Sequence, residues 1–225
     1  MSTGVWDGAA PECGKPDGST LSTMMTLMSP AGRPGHGAFG RLVDTVQSVL
    51  AVRTPVVVAI AGFGGAGKST LADRLAGHFQ IETRQVVRTD NLYSTTPHGP
   101  GLLDITDWSL LVRVLSDAGP SDRLTYVGRN YRGQPVAIDV PMPEVLIVEG
   151  LRLLRPDLVG MYHVAVWIDC DLAQATRRAK DRNQAKGASE YELGLWDTLW
   201  APLDAEYFAR YEPHRLATFI YPVES

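Results

Sequence analysis

The chain has 225 residues, of which 44% are hydrophobic and 20% are charged, and its formal net charge is −4. This length and composition are ordinary for a globular protein with one domain and a core of its own. The net negative charge argues against a partner that is a nucleic-acid polymer, because binding a phosphate backbone needs clustered positive charge. We also expect no membrane partner, since no apolar run approaches the ~20 residues of a membrane span.

The two cysteines, Cys13 and Cys170, lie far apart in the sequence. Their spacing matches neither a disulfide framework nor a zinc site, which is typical of a reducing compartment. The N-terminus lacks the basic start and apolar stretch of a secretory signal. We therefore expect a cytoplasmic protein.

Residues 1–36 are rich in Gly, Pro, Ser and Thr and sustain no helical or strand period. This predicts a flexible, disordered tail before a domain that spans residues 37–225. Within the domain, segments with a helical period alternate with short apolar runs. The predicted helices cover 39–50, 68–79, 107–119, 172–182 and 191–211, and the predicted extended segments cover 55–62, 84–90, 122–140, 144–150, 162–170 and 216–221. This alternation predicts an α/β fold with a mostly parallel sheet.

The segment "GFGGAGKST" follows the first predicted strand directly and begins a helix. It matches G-x-x-x-x-G-K-[ST], the pattern of a phosphate-binding loop, in the strand–loop–helix context that the pattern requires. Glycines let backbone N–H groups surround a phosphate, while the lysine contacts the β- and γ-phosphates and the hydroxyl contacts Mg²⁺. We predict that a nucleoside triphosphate binds this loop through Gly62, Gly64, Gly65, Ala66, Gly67, Lys68, Ser69 and Thr70.

Two other predicted strands end in acids, Asp90 and Glu149. Strands joined by right-handed crossovers run parallel, so these ends reach the same sheet edge as the phosphate loop. Asp90 suits three roles: a turn residue, a metal ligand, or a base that activates a substrate hydroxyl. Glu149 suits a metal ligand or a surface carboxylate at a strand end. Together with Ser69, the two acids predict a Mg²⁺ site beside the triphosphate.

The guanine-reading motif N-K-x-D or T-K-x-D is absent, which disfavours a GTPase. In their order, "GFGGAGKSTLA", "TDNLY", "DW", "VLIVEG" and "VWIDCDLAQATRR" resemble the uridine kinase family of P-loop small-molecule kinases, whose related members include phosphoribulokinases and pantothenate kinases. The resemblance covers residues 55–221. It implies a five-stranded parallel sheet flanked by helices, a mobile lid that contains arginines, ATP with Mg²⁺ as donor, and a small-molecule hydroxyl as acceptor.

The resemblance also implies roles for individual residues. Asp90 matches the acid that accepts the hydroxyl proton, and Tyr93 matches an aromatic near the acceptor. Asp107 falls on an acid that holds sugar hydroxyls, although capping the following helix explains it equally well. Glu149 matches an acid near Mg²⁺.

Three arginines, Arg177, Arg178 and Arg182, fall where family members have arginines that contact the transferring phosphoryl group. The alternative is a solvated helix face balanced by Asp181. Phosphoryl transfer needs positive charge on the equatorial oxygens, and no other arginine cluster in the sequence is better placed.

The acceptor side differs from the family pattern. The family carries a Tyr-Asp pair after the helix that Asp107 begins, whereas this chain reads "LTYVGRNYRGQP", in which Tyr126 and Arg129 are the substrate-binding candidates. Because specificity depends on buried polar groups that pair with the substrate, the acceptor is a nucleoside, a nucleoside-like natural product or another hydroxylated metabolite. Three functions stay open: a nucleoside kinase, a kinase that modifies an antibiotic or another metabolite, and a nucleotide-binding switch or accessory ATPase. The sequence leaves the oligomeric state open, and a homodimer is compatible with it.

Overall fold

The fold is built around a single parallel sheet. The computed structural model describes residues 37–94 and 105–223. In chain order the strands are β1 (Val56–Ala61), β2 (Val87–Arg88), β3 (Arg123–Arg129), β4 (Pro135–Pro141), β5 (Val145–Gly150), β6 (Val164–Asp169) and β7 (Phe219–Pro222). Five of them lie side by side in the order β2-β5-β1-β6-β7, and each neighbouring pair is parallel. This confirms the predicted α/β fold; the predicted tail over 1–36 lies outside the described residues.

The helices follow the predicted ones closely at the N-terminal side and less closely at the C-terminal side. They are α1 (Ala38–Leu50), α2 (Lys68–His78), α3 (Trp108–Asp117), α4 (Leu172–Ala185), α5 (Glu190–Leu195), α6 (Ala201–Tyr211) and α7 (Pro213–Leu216). The single helix predicted over 191–211 is divided, because a π-helical segment, Trp196–Trp200, separates α5 from α6. Within the two described ranges, no helix is long and apolar enough to cross a membrane.

The central strands β1 and β5 form the core of the sheet. All six residues of each strand are buried. A strand covered on both faces has a continuous apolar sequence, which explains "VVVAIA" and "VLIV". The burial continues to the end of β5, where Glu149 is only 5% exposed. A carboxylate at that depth needs polar partners, and they are described with the site below.

The strands β3 and β4, which lie in the segment predicted to be extended, pair with each other as an antiparallel hairpin. Residues of β3 alternate between exposed and buried, and the buried ones are Leu124, Tyr126 and Gly128. Alternation of this kind shows that one face of the hairpin packs on the domain and the other faces solvent. The hairpin thereby contacts α3 and the segment that follows β2.

The segment after β2 carries Asp90. β2 has two residues instead of the seven predicted, and it pairs with β5 at the edge of the sheet. A 3₁₀ turn, Thr89–Asn91, follows at once. A Cβ at Gly128 would overlap the carbonyl oxygen of Asn91, and a Cβ at Gly150 would overlap the side chain of Thr89. Two glycines on two strands therefore let this turn approach both sheets.

The close contact at Gly150 generates a stability prediction. We expect Gly150→Ala to lower the free energy of unfolding by about 1–3 kcal/mol, because the added methyl group overlaps the buried Thr89 side chain. The matched control is Gly77→Ala in α2, where an added Cβ meets no atom within 4 Å. That control should gain about 0.5–1 kcal/mol from helix propensity. Urea unfolding followed by circular dichroism measures both, and equal stability of the two variants would contradict the prediction.

Candidate active site

The phosphate loop lies between β1 and α2. Gly65 and Gly67 have φ angles of 91° and 101°, a left-handed conformation that glycine adopts without strain. A Cβ at Gly65 would overlap the carbonyl oxygen of Ala175 in α4. The side chain of Lys68 is buried, and its Nζ donates to the carbonyl oxygen of Phe63 over 2.9 Å. The loop is thus closed on itself and packed against α4.

A polar cavity of about 300 Å³ opens at this loop, and we call it the phosphate cavity. The loop and α4 line it together, through Gly65, Gly67, Lys68, Ser69, Thr70, Arg178 and Arg182. Arg178 and Arg182 are four residues apart, so one face of α4 presents both to the cavity. Backbone N–H groups at a helix N-terminus, a lysine and two arginines make this cavity suited to a polyphosphate.

Arg177 is not brought to the phosphate cavity. It lines a different cavity on another face of α4, together with Lys180 and Asp181. One residue corresponds to 100° of rotation around a helix, which separates Arg177 from Arg178. Arg177 therefore lies on a different face of α4 from Arg178 and Arg182, and its role at the transferring phosphoryl group stays a prediction.

Next to the phosphate cavity is a smaller one of about 240 Å³. It shares Gly67, Thr70 and Arg178 with the phosphate cavity and extends to the C-terminal strand; its remaining lining is Ala66, Leu71, Arg74, Ile168, Tyr221 and Val223. This lining is mostly apolar, as a pocket for a flat organic ring usually is. The two cavities together have the character of a site for a nucleotide, with the phosphates at the loop and the base near β7.

Ser69 and Glu149 meet at the end of β5. The Ser69 hydroxyl donates to Glu149 Oε1 over 3.1 Å, and Arg88 Nη1 donates to the same oxygen over 2.9 Å. Arg88 also pairs with Asp73. These bonds explain how a carboxylate is accommodated at 5% exposure.

These two residues suit Mg²⁺, which prefers oxygen ligands. The described residues contain no group of three His, Cys, Asp or Glu side chains that would hold a metal ion. This is the usual condition for Mg²⁺ at a nucleotide site, where one or two protein oxygens act together with the phosphates of the substrate.

Asp90 lies in the 3₁₀ turn, and its side chain is exposed. Its negative charge acts on two functional groups. Burial lowers the pKa of the Lys68 amine, and the charges of Glu149, Asp204 and Asp90 oppose that shift. Burial raises the pKa of the Tyr93 hydroxyl, and Asp90 raises it further. Asp90 therefore lies within electrostatic reach of both the phosphate loop and Tyr93.

The acceptor candidates after Tyr93 occupy different positions. Tyr126 is buried, its hydroxyl has no hydrogen-bond partner among the described residues, and burial raises its pKa to about 12. Arg129 is exposed, and its side chain donates to the carbonyl oxygen of Gly133 in the hairpin turn. The backbone of Arg129 is the part next to the site, because its carbonyl oxygen accepts from Tyr93 N over 2.9 Å.

Asp107 caps a helix. Its Oδ1 accepts from Leu110 N over 2.9 Å and from the Ser109 hydroxyl over 2.6 Å. Oδ1 of Asp107 therefore caps the N-terminus of α3, which is the alternative considered from the sequence. Its backbone N–H donates to the carbonyl oxygen of Leu92, which ties the start of α3 to the segment that carries Asp90 and Tyr93.

Sequence reasoning missed two buried charged residues beside the loop, Asp204 and Arg152, each 4% exposed. Asp204 Oδ2 accepts from Gly64 N over 2.8 Å, and its Oδ1 lies 3.7 Å from Arg152 Nη2. The signal for Asp204 was present, since it lies three residues before buried Tyr207 on the inner face of α6. An acid on an apolar helix face indicates a specific partner.

Comparison with known proteins agrees with this geometry. No family model matches the chain. Uridine kinases of Brevibacillus brevis and Oceanobacillus iheyensis are 25% and 27% identical over 130 residues, which cover 52% of this chain. The chain spans 61% of the first of these relatives and 62% of the second.

Solved structures show the same fold. One described as a fructose transport system kinase from Silicibacter sp. TM1040 superimposes with a TM-score of 0.63 at 20% identity and covers 78% of this chain and 96% of its own. One described as a uridine kinase from Bacillus stearothermophilus superimposes with a TM-score of 0.52 at 16% identity. The match covers 80% of this chain and 98% of the other. The chain is therefore similar in sequence to uridine kinases over about half of its length, and it shares its fold with these solved structures.

The buried lysine predicts an alkaline limit to phosphate binding. Burial lowers the pKa of Lys68, so its amine loses its charge as pH rises, at a lower pH than an exposed lysine would. We expect the dissociation constant for ADP to increase as pH is raised from 7 toward 10, and this increase to be absent in Lys68→Met. Calorimetric titration at several pH values measures both. A wild-type affinity that stays constant over this range would contradict the prediction.

Proposed function

We propose that this protein is an ATP-dependent phosphotransferase that moves the γ-phosphate to a hydroxyl of a nucleoside or a nucleoside-like small molecule. The observation that carries the proposal is the phosphate cavity, where Lys68, Arg178 and Arg182 converge while the charge of Asp90 reaches Lys68. A phosphate-binding lysine, arginines for the equatorial oxygens and an acid for the acceptor hydroxyl are the parts that phosphoryl transfer needs. The widely spaced cysteines are compatible with a cytoplasmic location.

In the proposed reaction, Lys68 and the two arginines bind the phosphates and reduce the repulsion that an attacking oxygen meets. Asp90 accepts the acceptor's hydroxyl proton while that oxygen bonds to the γ-phosphorus and the bond from phosphorus to the β-phosphate oxygen breaks. Ser69 and Glu149 are the residues that would hold Mg²⁺, which neutralises charge on the β- and γ-phosphates.

Arg88 has a supporting role in this proposal. It donates to Glu149 and pairs with Asp73, so it holds the carboxylate in place behind the phosphate loop. The Ser69 hydroxyl reaches the same oxygen of Glu149. The serine of the loop and the acid of β5 are thereby held together before a metal ion arrives.

The acceptor is proposed to bind between the 3₁₀ turn and the hairpin. Tyr93 is close enough to Asp90 for the carboxylate charge to act on its hydroxyl, and the hydroxyl of Tyr126 is buried without a hydrogen-bond partner among the described residues. A buried polar group without a partner discriminates for ligands that supply one. We therefore propose Tyr93 and Tyr126 as the acceptor contacts, ahead of Asp107 and Arg129, whose side chains bind locally.

The proposed base has a direct test. Asp90→Asn should keep the affinity for ATP and lose phosphoryl transfer by a factor of about 10² or more, because an amide does not accept the hydroxyl proton. The control is Asp117→Asn, an exposed acid in α3, which should transfer at the wild-type rate. Acceptor-dependent ADP release measures both. Turnover of Asp90→Asn at the wild-type rate would exclude Asp90 as the base.

A substrate panel decides between the three functions. ADP release is measured with nucleosides, sugars, pantothenate and nucleoside antibiotics as acceptors, and we expect the largest stimulation from nucleosides. Stimulation confined to antibiotics or to another metabolite would favour the modifying kinase on the same scaffold. Slow ATP hydrolysis that no acceptor accelerates would contradict transfer and favour the switch or accessory ATPase.

A further inference from the structure

A buried ion pair lies behind the phosphate loop, and we call it the Asp204–Arg152 pair. Both residues are 4% exposed. Asp204 belongs to α6, whereas Arg152 follows β5 and has a φ angle of 61°. Neither Asp204 nor Arg152 is among the residues that line the phosphate cavity.

The contact with the loop is made by the backbone of Gly64. Gly64 N donates to Asp204 Oδ2 over 2.8 Å. A hydrogen bond between a backbone N–H and a carboxylate is stronger than one between neutral groups. Gly64 itself is not among the residues that line the phosphate cavity. Its N–H therefore points to α6, while the N–H groups beyond it in the loop remain for the phosphates.

An aromatic ring covers the same residue. A Cβ at Gly64 would lie 2.8 Å from Cζ3 of Trp196, which begins the π-helical segment before α6. The loop is thus held at Gly64 by a carboxylate and by a ring, and both belong to the C-terminal elements. This explains why a glycine stands here although Gly64 does not need a left-handed backbone.

Arg152 opposes the effect of burial on the pKa of Asp204. Burial raises the pKa of Asp204, and the Gly64 N–H, Arg152 and Lys68 all act against that rise. Arg152 Nη2 is 3.7 Å from Asp204 Oδ1, and neither Nη2 nor Nε has a hydrogen-bond partner among the described residues. Burying a guanidinium group whose donors lack partners lowers the stability of the fold. A buried arginine of this kind therefore indicates that its charge has a specific function.

We propose that Asp204 is a positioning residue of the phosphate loop and that Arg152 is the cation that pairs with it. The charged groups that face Asp204 are Lys68 at the start of α2 and Arg152 after β5, and Glu206 and the hydroxyls of Tyr93 and Tyr207 face Arg152 in turn. The C-terminal helices thereby contribute to nucleotide affinity without touching the nucleotide. Insofar as it concerns nucleotide affinity, this inference rests on the proposed function.

Three variants separate the parts of the pair. Asp204→Ala removes the acceptor of the Gly64 N–H, Asp204→Asn keeps an acceptor oxygen and removes the charge, and Arg152→Met keeps the length of the side chain and removes the cation. The matched control is Asp197→Asn, an exposed acid of the π-helical segment that pairs with Lys180. We expect the dissociation constant for ADP to rise about tenfold or more in Asp204→Ala and less in Asp204→Asn, and to stay unchanged in the control.

The pH dependence is a readout that a merely structural role would not change. Because the charge of Asp204 is lost as pH falls through its raised pKa, wild-type affinity for ADP should fall on acidification. The fall should come at higher pH in Arg152→Met, which has lost the opposing cation, and this component should be absent in Asp204→Asn. The phosphate of ADP also titrates. The pH profile of each protein is therefore compared with that of Asp204→Asn, and the difference between the two profiles is the part that Asp204 contributes. Identical profiles in all three proteins would overturn the proposal.

Hydrogen exchange of the Gly64 amide tests the positioning without any nucleotide. We expect it to be at least about tenfold faster in Asp204→Ala than in wild type, and near wild type in Asp197→Asn. Should Asp204→Ala not fold, Asp204→Asn and Arg152→Met carry the test, and wild-type exchange in both would overturn the proposal. If the wild type binds neither ADP nor ATP, the proposed function is wrong, while the exchange rates still decide whether Asp204 positions the loop.

Discussion

Gly65 lies so close to α4 that a methyl group in place of its hydrogen would overlap the carbonyl oxygen of Ala175. This approach brings the face of α4 that carries Arg178 and Arg182 over the phosphate loop. A larger residue at this position would push the helix away, and the two guanidinium groups would leave the cavity. The contribution of the two arginines to the positive charge of the cavity therefore depends on a residue that has no side chain.

The charge balance around Lys68 follows from the same compactness. The amine is buried, which by itself favours its neutral form, and three carboxylates on three separate segments oppose that tendency. Glu149 comes from β5, Asp90 from the turn after β2, and Asp204 from α6. The charge on the lysine is thus linked to the end of β5, to the turn after β2 and to α6.

The sequence was sufficient for the parts of the molecule that are continuous in the chain. The phosphate loop and the apolar strands were predicted because their signals are local and periodic. Arg177 and Arg178 could not be separated by pattern alone, because which of two adjacent residues faces the loop depends on how α4 packs. Asp204 and Arg152 were missed for a related reason: they are 52 residues apart, and their meeting behind Gly64 exists only in the folded chain. The π-helical segment was likewise not predicted, since Trp196 and Trp200 fit a regular helical period.

The order of the strands separates the two halves of the site. The phosphate loop follows β1 at the centre of the sheet, whereas Asp90 follows β2, a strand of two residues at the edge with one neighbour only. Changes at an edge strand disturb one set of pairings, while changes at a central strand disturb two. The turn that carries Asp90 can therefore change its sequence at a smaller cost in stability than the loop after β1, beside which two neighbouring strands would be disturbed.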